Sequence, residues 1–132
     1  MGLFSGKATD EETKPFINEL KAAKNVLLHG PINPKQLAAE FQRMDAFLIC
    51  YDILKDQSKG TNYHKVMEYL STGKVVISNN ITTYKNLPGL LEMTNSRTNN
   101  IELPDLFVKI ITNLDYYNSN DKMNFRKAFA LS

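Results

Sequence analysis

Short, almost wholly apolar runs alternate with longer amphipathic segments along this chain of 132 residues. Strands that are apolar on both faces belong to a sheet that is covered on both sides, and helices between such strands indicate parallel pairing. We therefore predict an α/β fold with a parallel sheet. The predicted strands are GLFS (residues 2–5), NVLLHG (25–30), DAFLICY (45–51) and KVVISNN (74–80), with a weaker strand near Leu91.

The segments between these runs have apolar residues at helical spacing. Asn33 and Pro34 begin one of them with residues that favour a cap and a first helical position. A short helix or turn is expected around Tyr84. The predicted helices are DEETKPFINELKAAK (residues 10–24), NPKQLAAEFQRM (33–44), NYHKVMEYLST (62–72), LPDLFVKIITNLDYYNS (103–119) and KMNFRKAFAL (122–131).

This order of elements predicts one Rossmann-like, three-layer α/β/α domain over residues 1–132. Ligands of such sheets bind beyond the carboxyl ends of the strands, where loops lead into helices. Three segments occupy those positions: residues 30–33, 51–62 and 78–83. Candidate site residues are therefore expected there and in the first turn of the following helix.

Composition limits the classes of partner. Apolar residues make up 42% of the chain and charged residues 23%, as in ordinary globular proteins, and the net charge is only +2. The basic residues form no run, so nucleic acid is not expected as a partner. No apolar run reaches the roughly 20 residues that span a bilayer, and the first residues do not resemble a signal peptide. We expect a cytoplasmic protein without a transmembrane segment.

Cysteine and histidine give little support to metal chemistry. Cys50 is the single cysteine, so the chain has no internal disulfide, and its apolar surroundings predict a small buried side chain. His29 and His64 lack carboxylates at the spacing that metal sites require. No metal site and no tightly bound cofactor are expected.

The predicted helix NYHKVMEYLST has a polar side that allows two interpretations. On a helix, Tyr63, Val66, Met67 and Leu70 share one side, and the far side carries Lys65 and Glu68, one turn apart. One interpretation is a solvated face with a weak ion pair. The other is an anion site, because helix amides and a lysine hold phosphate, and a carboxylate accepts hydrogen bonds from ribose hydroxyls.

The stretch from Asn25 to Ile81 resembles the donor-binding, C-terminal half of GT-B glycosyltransferases of the group 1, or family 4-type, class. That family has an NV strand ending in Gly, a helix, an Asp before an apolar strand, and then N-x-x-K-x-x-E-Y-L-A-x-G-K-P-V-V. The resemblance covers residues 24–82 closely. The matching residues are Asn25, Val26, Gly30, Leu37, Asp45, Asn62, Lys65, Glu68, Tyr69, Leu70, Gly73, Lys74 and Val76.

The resemblance implies a nucleotide-sugar donor site for a UDP- or GDP-sugar. Glu68 would hold the ribose hydroxyls. Residues 61–65, with Thr61, Asn62 and Lys65 among them, would face the diphosphate and sugar. The turn at Gly30 and Ile32 would lie beside the base, and Tyr51 at a strand's carboxyl end is a candidate pocket wall. Lys65 is a candidate stabiliser of the diphosphate leaving group, and no other catalytic residue is expected in this chain.

The sequence departs from the family at a few positions. Many members carry an earlier glutamate that touches the donor sugar, and Gly60 matches that position here. Relatives with the N-x-x-K-x-x-E-Y-L form commonly lack it too, so this is interpreted as a subfamily difference. Val75 stands where the family usually has Pro, and Tyr63 replaces another common Pro.

Relative to the family, the acceptor-binding half and the first strand and helix of the donor half are missing. We therefore expect a fragment of a two-domain hexosyltransferase that is inactive alone, exposes apolar surface and touches membranes only through the missing half. Surface polysaccharide or glycoconjugate synthesis is a family-level expectation. The alternative is a noncatalytic Rossmann-like module that binds a nucleotide or a protein.

Overall fold

A computed structural model describes residues 2–4, 14–51, 63–81, 87 and 89–132, without the side chains of residues 2–4 and 63. The chain forms two compact units, Met1–Glu40 and Phe41–Ser132. Each unit is described by itself below. The prediction that residues 1–132 form one domain stays a prediction.

The first unit contains one parallel strand pair and a helix between the two strands. Strand β1 spans Gly2–Phe4, helix α1 Lys14–Ala22, strand β2 Val26–Leu28, and helix α2 begins at Pro34 and ends at Gln42. Leu3 of β1 is paired with Leu27 of β2. The Oδ1 atom of Asn33 accepts a hydrogen bond of 2.9 Å from the backbone N–H of Lys35, which confirms the predicted cap of α2.

The second unit contains a three-stranded parallel sheet in the order β3-β4-β5. Ala46 of β3 is paired with Val75 of β4, and Ile77 of β4 with Glu92 of β5. The described elements of this unit are β3 (Ala46–Ile49), α3 (Tyr63–Ser71), β4 (Val75–Ser78), β5 (Glu92–Met93), α4 (Leu103–Ile111), α5 (Leu114–Tyr117) and α6 (Asn120–Leu131).

The central strand β4 organises the core of the second unit. All four of its residues are buried, and successive side chains point to opposite faces of the sheet. Val76 belongs to a cluster with Val66 and Leu70 of α3, whereas Val75 and Ile77 pack with residues of α4 and α5. Helices therefore cover both faces of β4, which explains why its sequence is a continuous apolar run.

The structure confirms a mixed α/β fold with parallel strands and corrects three details. The predicted helix over residues 103–119 is two helices. The hydroxyl of Thr112 donates to the carbonyl of Val108, and Asn113 Nδ2 donates to the carbonyl of Lys109, so side chains compete for the carbonyls that would continue the helix. Strand β3 is buried on one face only, because Leu48 is 51% exposed.

Cys50 is the third correction. It is exposed, not buried, because β3 ends at Ile49 and the cysteine lies beyond the covered part of the sheet. The turn or helix expected around Tyr84 lies outside the described residues. Among the described helices, none has both the length and the apolar character needed to cross a membrane.

Candidate functional site

The carboxyl ends of β3 and β4 lie side by side, because the two strands are parallel and Ile49 is paired with Ser78. Tyr51 follows the end of β3 by two residues, and Asn79 follows β4 directly. Helix α3 is the next helix described after β3 and leads back to the start of β4, so it begins at this same edge of the sheet. This edge is the location that the sequence predicts for a ligand.

Helix α3 has the two faces that its sequence predicts. Val66 and Leu70 are completely buried, whereas Lys65 and Glu68 are exposed. The apolar stripe fixes the rotation of the helix, and three-residue spacing then puts the lysine and the carboxylate on the solvent side. Both side chains are therefore accessible to a ligand.

Tyr69 links the predicted site residues. Its ring stacks on that of Phe47, with 4.2 Å between the ring centroids and 9° between the ring planes. The Nζ atom of Lys65 lies 5.8 Å from the centroid of the Tyr69 ring. Burial and, to a smaller extent, the charges of Glu68 and Tyr51 together raise the pKa of Tyr69 to about 12. Lys65 therefore lies near the buried ring of Tyr69, and Tyr51 packs against the core cluster to which Tyr69 belongs.

The backbone of Tyr51 is held by a neighbouring side chain. The Oδ1 atom of Asn79 accepts a hydrogen bond of 3.0 Å from the Tyr51 N–H, and Nδ2 of Asn79 donates one of 2.7 Å to the Tyr51 carbonyl. The ring of Tyr51 is partly buried and packs against the core cluster that contains Val66 and Tyr69. Tyr51 is therefore fixed by both its backbone and its side chain.

Within the part of the chain that the structure describes, two buried oxygen atoms near this edge have no hydrogen-bond partner. They are Oδ1 of Asn80, after β4, and Oγ1 of Thr94, after β5. Asn80 Nδ2 donates a hydrogen bond of 2.8 Å to the Thr94 carbonyl, so the two residues are neighbours. Unsatisfied polar atoms cost stability, and such atoms are uncommon in folded proteins.

Gly30 and Ile32 belong to the first unit. Gly30 has a positive φ of 65°, and Ile32 helps to line an open cleft of about 380 Å³ at the carboxyl end of β2. The other residues that line this cleft are His29, Pro31, Gln36, Ala39 and Glu40. The cleft combines an apolar wall with polar side chains, but it belongs to the first unit alone.

Thr61 and Asn62 lie outside the described residues, so their predicted contacts with the diphosphate stay predictions. In the part of the chain that the structure describes, no group of three or more histidine, cysteine, aspartate and glutamate side chains could hold a metal ion. Of the predicted site residues, Lys65 and Glu68 lie on the exposed side of α3, and Tyr51 packs against the core cluster that contains buried residues of that helix.

Sequence reasoning missed the roles of Asn79 and Tyr69. The segment 78–83 was predicted to face a ligand, but without a particular side chain. The role of Asn79 could have been suspected from its residue type and position, because a side-chain amide directly after a buried strand needs hydrogen-bond partners within the core. The signal for Tyr69 is weaker, because a tyrosine next to Glu68 on a helix does not by itself indicate burial.

Comparisons of the sequence with models of protein families, with curated proteins and with solved structures found no match. The evidence for a function is therefore the geometry of the site and the sequence pattern of its residues.

Proposed function

We propose that this chain is the nucleotide-sugar-binding part of a cytoplasmic glycosyltransferase with a GT-B fold. The enzyme would transfer a sugar from an NDP-sugar to an acceptor, in the synthesis of a surface polysaccharide or glycoconjugate. A second Rossmann-like half would bind the acceptor, and turnover would need both halves. This chain would bind the donor without transferring its sugar.

One observation carries the proposal: an exposed lysine and an exposed carboxylate lie on α3, and Tyr51 packs against the core cluster that contains the buried residues of this helix. A parallel sheet offers ligands its carboxyl edge. The start of α3 adds the positive end of the helix dipole. Lys65 thus offers a positive charge to a diphosphate, and Glu68, one helical turn away, offers an acceptor to hydroxyl groups.

In this proposal the residues have distinct roles. Lys65 would place a positive charge on the diphosphate, first to bind it and then to stabilise the charge that develops as it leaves. Glu68 would accept hydrogen bonds from the ribose hydroxyls. Tyr51 would form a wall of the site. Because the leaving group is stabilised by Lys65 and helix amides, the transfer needs no tightly bound metal.

Calorimetric titration with UDP, GDP and a UDP-sugar tests the proposal. We expect one nucleotide to bind, with an affinity that falls at least about tenfold in Glu68→Ala, which removes charge-assisted hydrogen bonds. Glu19→Ala is the matched control, because Glu19 is also an exposed helical carboxylate, on α1. Its affinity should equal that of the wild type. Absence of binding to a folded chain at millimolar ligand, or equal losses in both variants, would contradict the proposal.

An apolar groove favours the alternative of a noncatalytic, protein-binding module. The groove has a volume of about 410 Å³ and is lined by Leu48, Asn100, Leu103, Pro104, Phe107 and Val108. Leu48 and Val108 are more than half exposed. Exposed apolar surface of this kind marks interaction sites, although the proposed enzyme would also expose apolar surface where its other half packs.

The two functions predict different behaviour of Val108→Lys. Under the enzyme proposal, nucleotide affinity is unchanged, because Val108 lies on α4, outside the candidate site. Under the alternative, no nucleotide binds. The charged lysine then weakens any concentration-dependent self-association of the chain that sedimentation measures. The same protein preparations serve both measurements.

A further inference from the structure

The amide of Asn79 extends the pairing between β3 and β4 beyond the ends of the two strands. The backbone N–H of Asn79 donates a hydrogen bond of 3.3 Å to the carbonyl of Ile49. Its side chain then bonds both the N–H and the carbonyl of Tyr51, as a neighbouring strand would. Two backbone groups that would otherwise need water or a further strand are satisfied by one side chain.

The Tyr51 backbone fixes the orientation of this amide, and a third hydrogen bond agrees with it. Asn79 Nδ2 also donates to Oδ1 of Asn100, at 3.1 Å, and Asn79 is completely buried. Nδ2 therefore faces two oxygen atoms, and Oδ1 faces an N–H group. Turning the amide over would place its oxygen against both acceptors, so only one arrangement satisfies the site.

We infer that Asn79 is a positioning residue of the nucleotide site, which acts by holding Tyr51 in place at the carboxyl edge of the sheet. The inference rests on the proposed function, since it needs a ligand that touches Tyr51. Asn79 itself is buried and does not touch the ligand. Asn79 affects nucleotide binding indirectly, through its hydrogen bonds to the backbone of Tyr51.

This inference predicts that Asn79 and Tyr51 are coupled in nucleotide affinity. Asn79→Ala removes two hydrogen bonds to the Tyr51 backbone, and Tyr51→Ala removes the side chain that Asn79 positions. We expect each single variant to weaken binding of UDP or GDP, whichever the wild type binds, by about tenfold. The double variant should bind no more weakly than Tyr51→Ala alone.

Thr72→Val separates positioning from a general loss of stability. Thr72 is buried, and its hydroxyl donates to the Tyr69 carbonyl and accepts from the N–H of Lys74, at the far end of α3. This variant should lose stability and keep the wild-type affinity. All titrations are done at a temperature at which circular dichroism shows each variant to be folded.

Asn100→Ala tests the inference without changing the buried residue, in case Asn79→Ala does not fold. Asn100 is partly exposed, and its loss removes the hydrogen bond to the Asn79 amide together with the one from Asn100 Nδ2 to Cys50 Sγ. We expect faster hydrogen exchange at the Tyr51 N–H and a loss of affinity of about threefold.

The outcomes distinguish the inference from the proposed function. If Glu68→Ala loses the nucleotide while Asn79→Ala and Asn100→Ala bind like Thr72→Val, the inference is wrong and the proposed function stands. Additive losses in the double variant with Tyr51→Ala also overturn the inference. If the wild type binds neither UDP nor GDP, both are overturned.

Discussion

The guanidinium group of Arg126 donates a hydrogen bond of 2.9 Å to the carbonyl oxygen of Gly73. Arg126 lies on α6 and is 1% exposed, and Gly73 lies in the turn between α3 and β4. Burial lowers the pKa of Arg126, and the carboxylate of Glu92 opposes this effect. The hydrogen bond joins the last helix to the turn that follows the helix of the candidate site.

Gly73→Ala should destabilise the protein strongly. Gly73 has a φ of +82°, and a Cβ atom there would lie 3.0 Å from Met123 Cβ and 3.1 Å from the Met123 carbonyl oxygen, which α6 holds in place. Backbone strain and overpacking together should lower the free energy of unfolding by about 2–4 kcal/mol. Chemical denaturation measures the change.

Gly89→Ala is the matched control for this substitution. Gly89 also has a positive φ, of +89°, but an added Cβ would meet only the ring of Phe125, at 3.4 Å. The loss should be limited to backbone strain, about 1–2 kcal/mol. Equal losses in the two glycine variants would contradict the close packing of α6 against the turn.

Thr94→Val should stabilise the protein or leave its stability unchanged. The buried hydroxyl of Thr94 has no hydrogen-bond partner among the described residues, so its replacement by a methyl group of similar size removes an unsatisfied polar atom. Thr72→Val makes the same chemical change where the hydroxyl forms two hydrogen bonds, and it should cost about 1–2 kcal/mol. A loss in Thr94→Val as large as that in Thr72→Val would show that the Thr94 hydroxyl has a partner in solution.

Tyr69 should make the protein less stable at high pH. The folded state raises its pKa from 10.0 to about 12, so the unfolded chain releases this proton at a lower pH than the folded chain. The contribution of Tyr69 to stability is complete below pH 10, declines as the pH rises through 12, and is then lost. Denaturation curves of the wild type and Tyr69→Phe measure it. The wild type should lose more stability between these pH values, and parallel losses would contradict the raised pKa.

Cys50 should react with a thiol reagent in the folded protein. Its side chain is exposed at the end of β3, near the amide of Asn100, with 3.5 Å between Asn100 Nδ2 and Cys50 Sγ. We expect labelling at a rate close to that of the unfolded chain. Labelling that requires denaturant would instead support the burial predicted from the sequence.

Local patterns in the sequence predicted much of the second unit. The spacing of Val66 and Leu70 fixes which side of α3 is buried, so the exposure of Lys65 and Glu68 could be predicted. The continuous apolar run at β4 indicated cover on both faces. The helix break after Ile111 could also have been inferred, because Thr112 and Asn113 are residues whose side chains compete for backbone carbonyls.

The remaining features depend on contacts between distant parts of the chain. Leu48 is exposed although its strand is apolar, because burial depends on which elements pack against a strand and not on the strand itself. Asn79 meets Tyr51 across 28 residues, through the register of β3 against β4. Sequence periodicity contains no information on that register, so the amide's role became visible only in the structure.

The central claim is that a nucleotide binds where β3 leads into α3. Its most direct test follows backbone amide chemical shifts by NMR while UDP or GDP is added to the isotope-labelled chain. We predict that the amides of Tyr51 and Lys65 shift with saturation, whereas that of Lys74, at the opposite end of α3, does not. Unchanged shifts at Tyr51 and Lys65 up to millimolar nucleotide, or shifts confined to other parts of the chain, would contradict the claim.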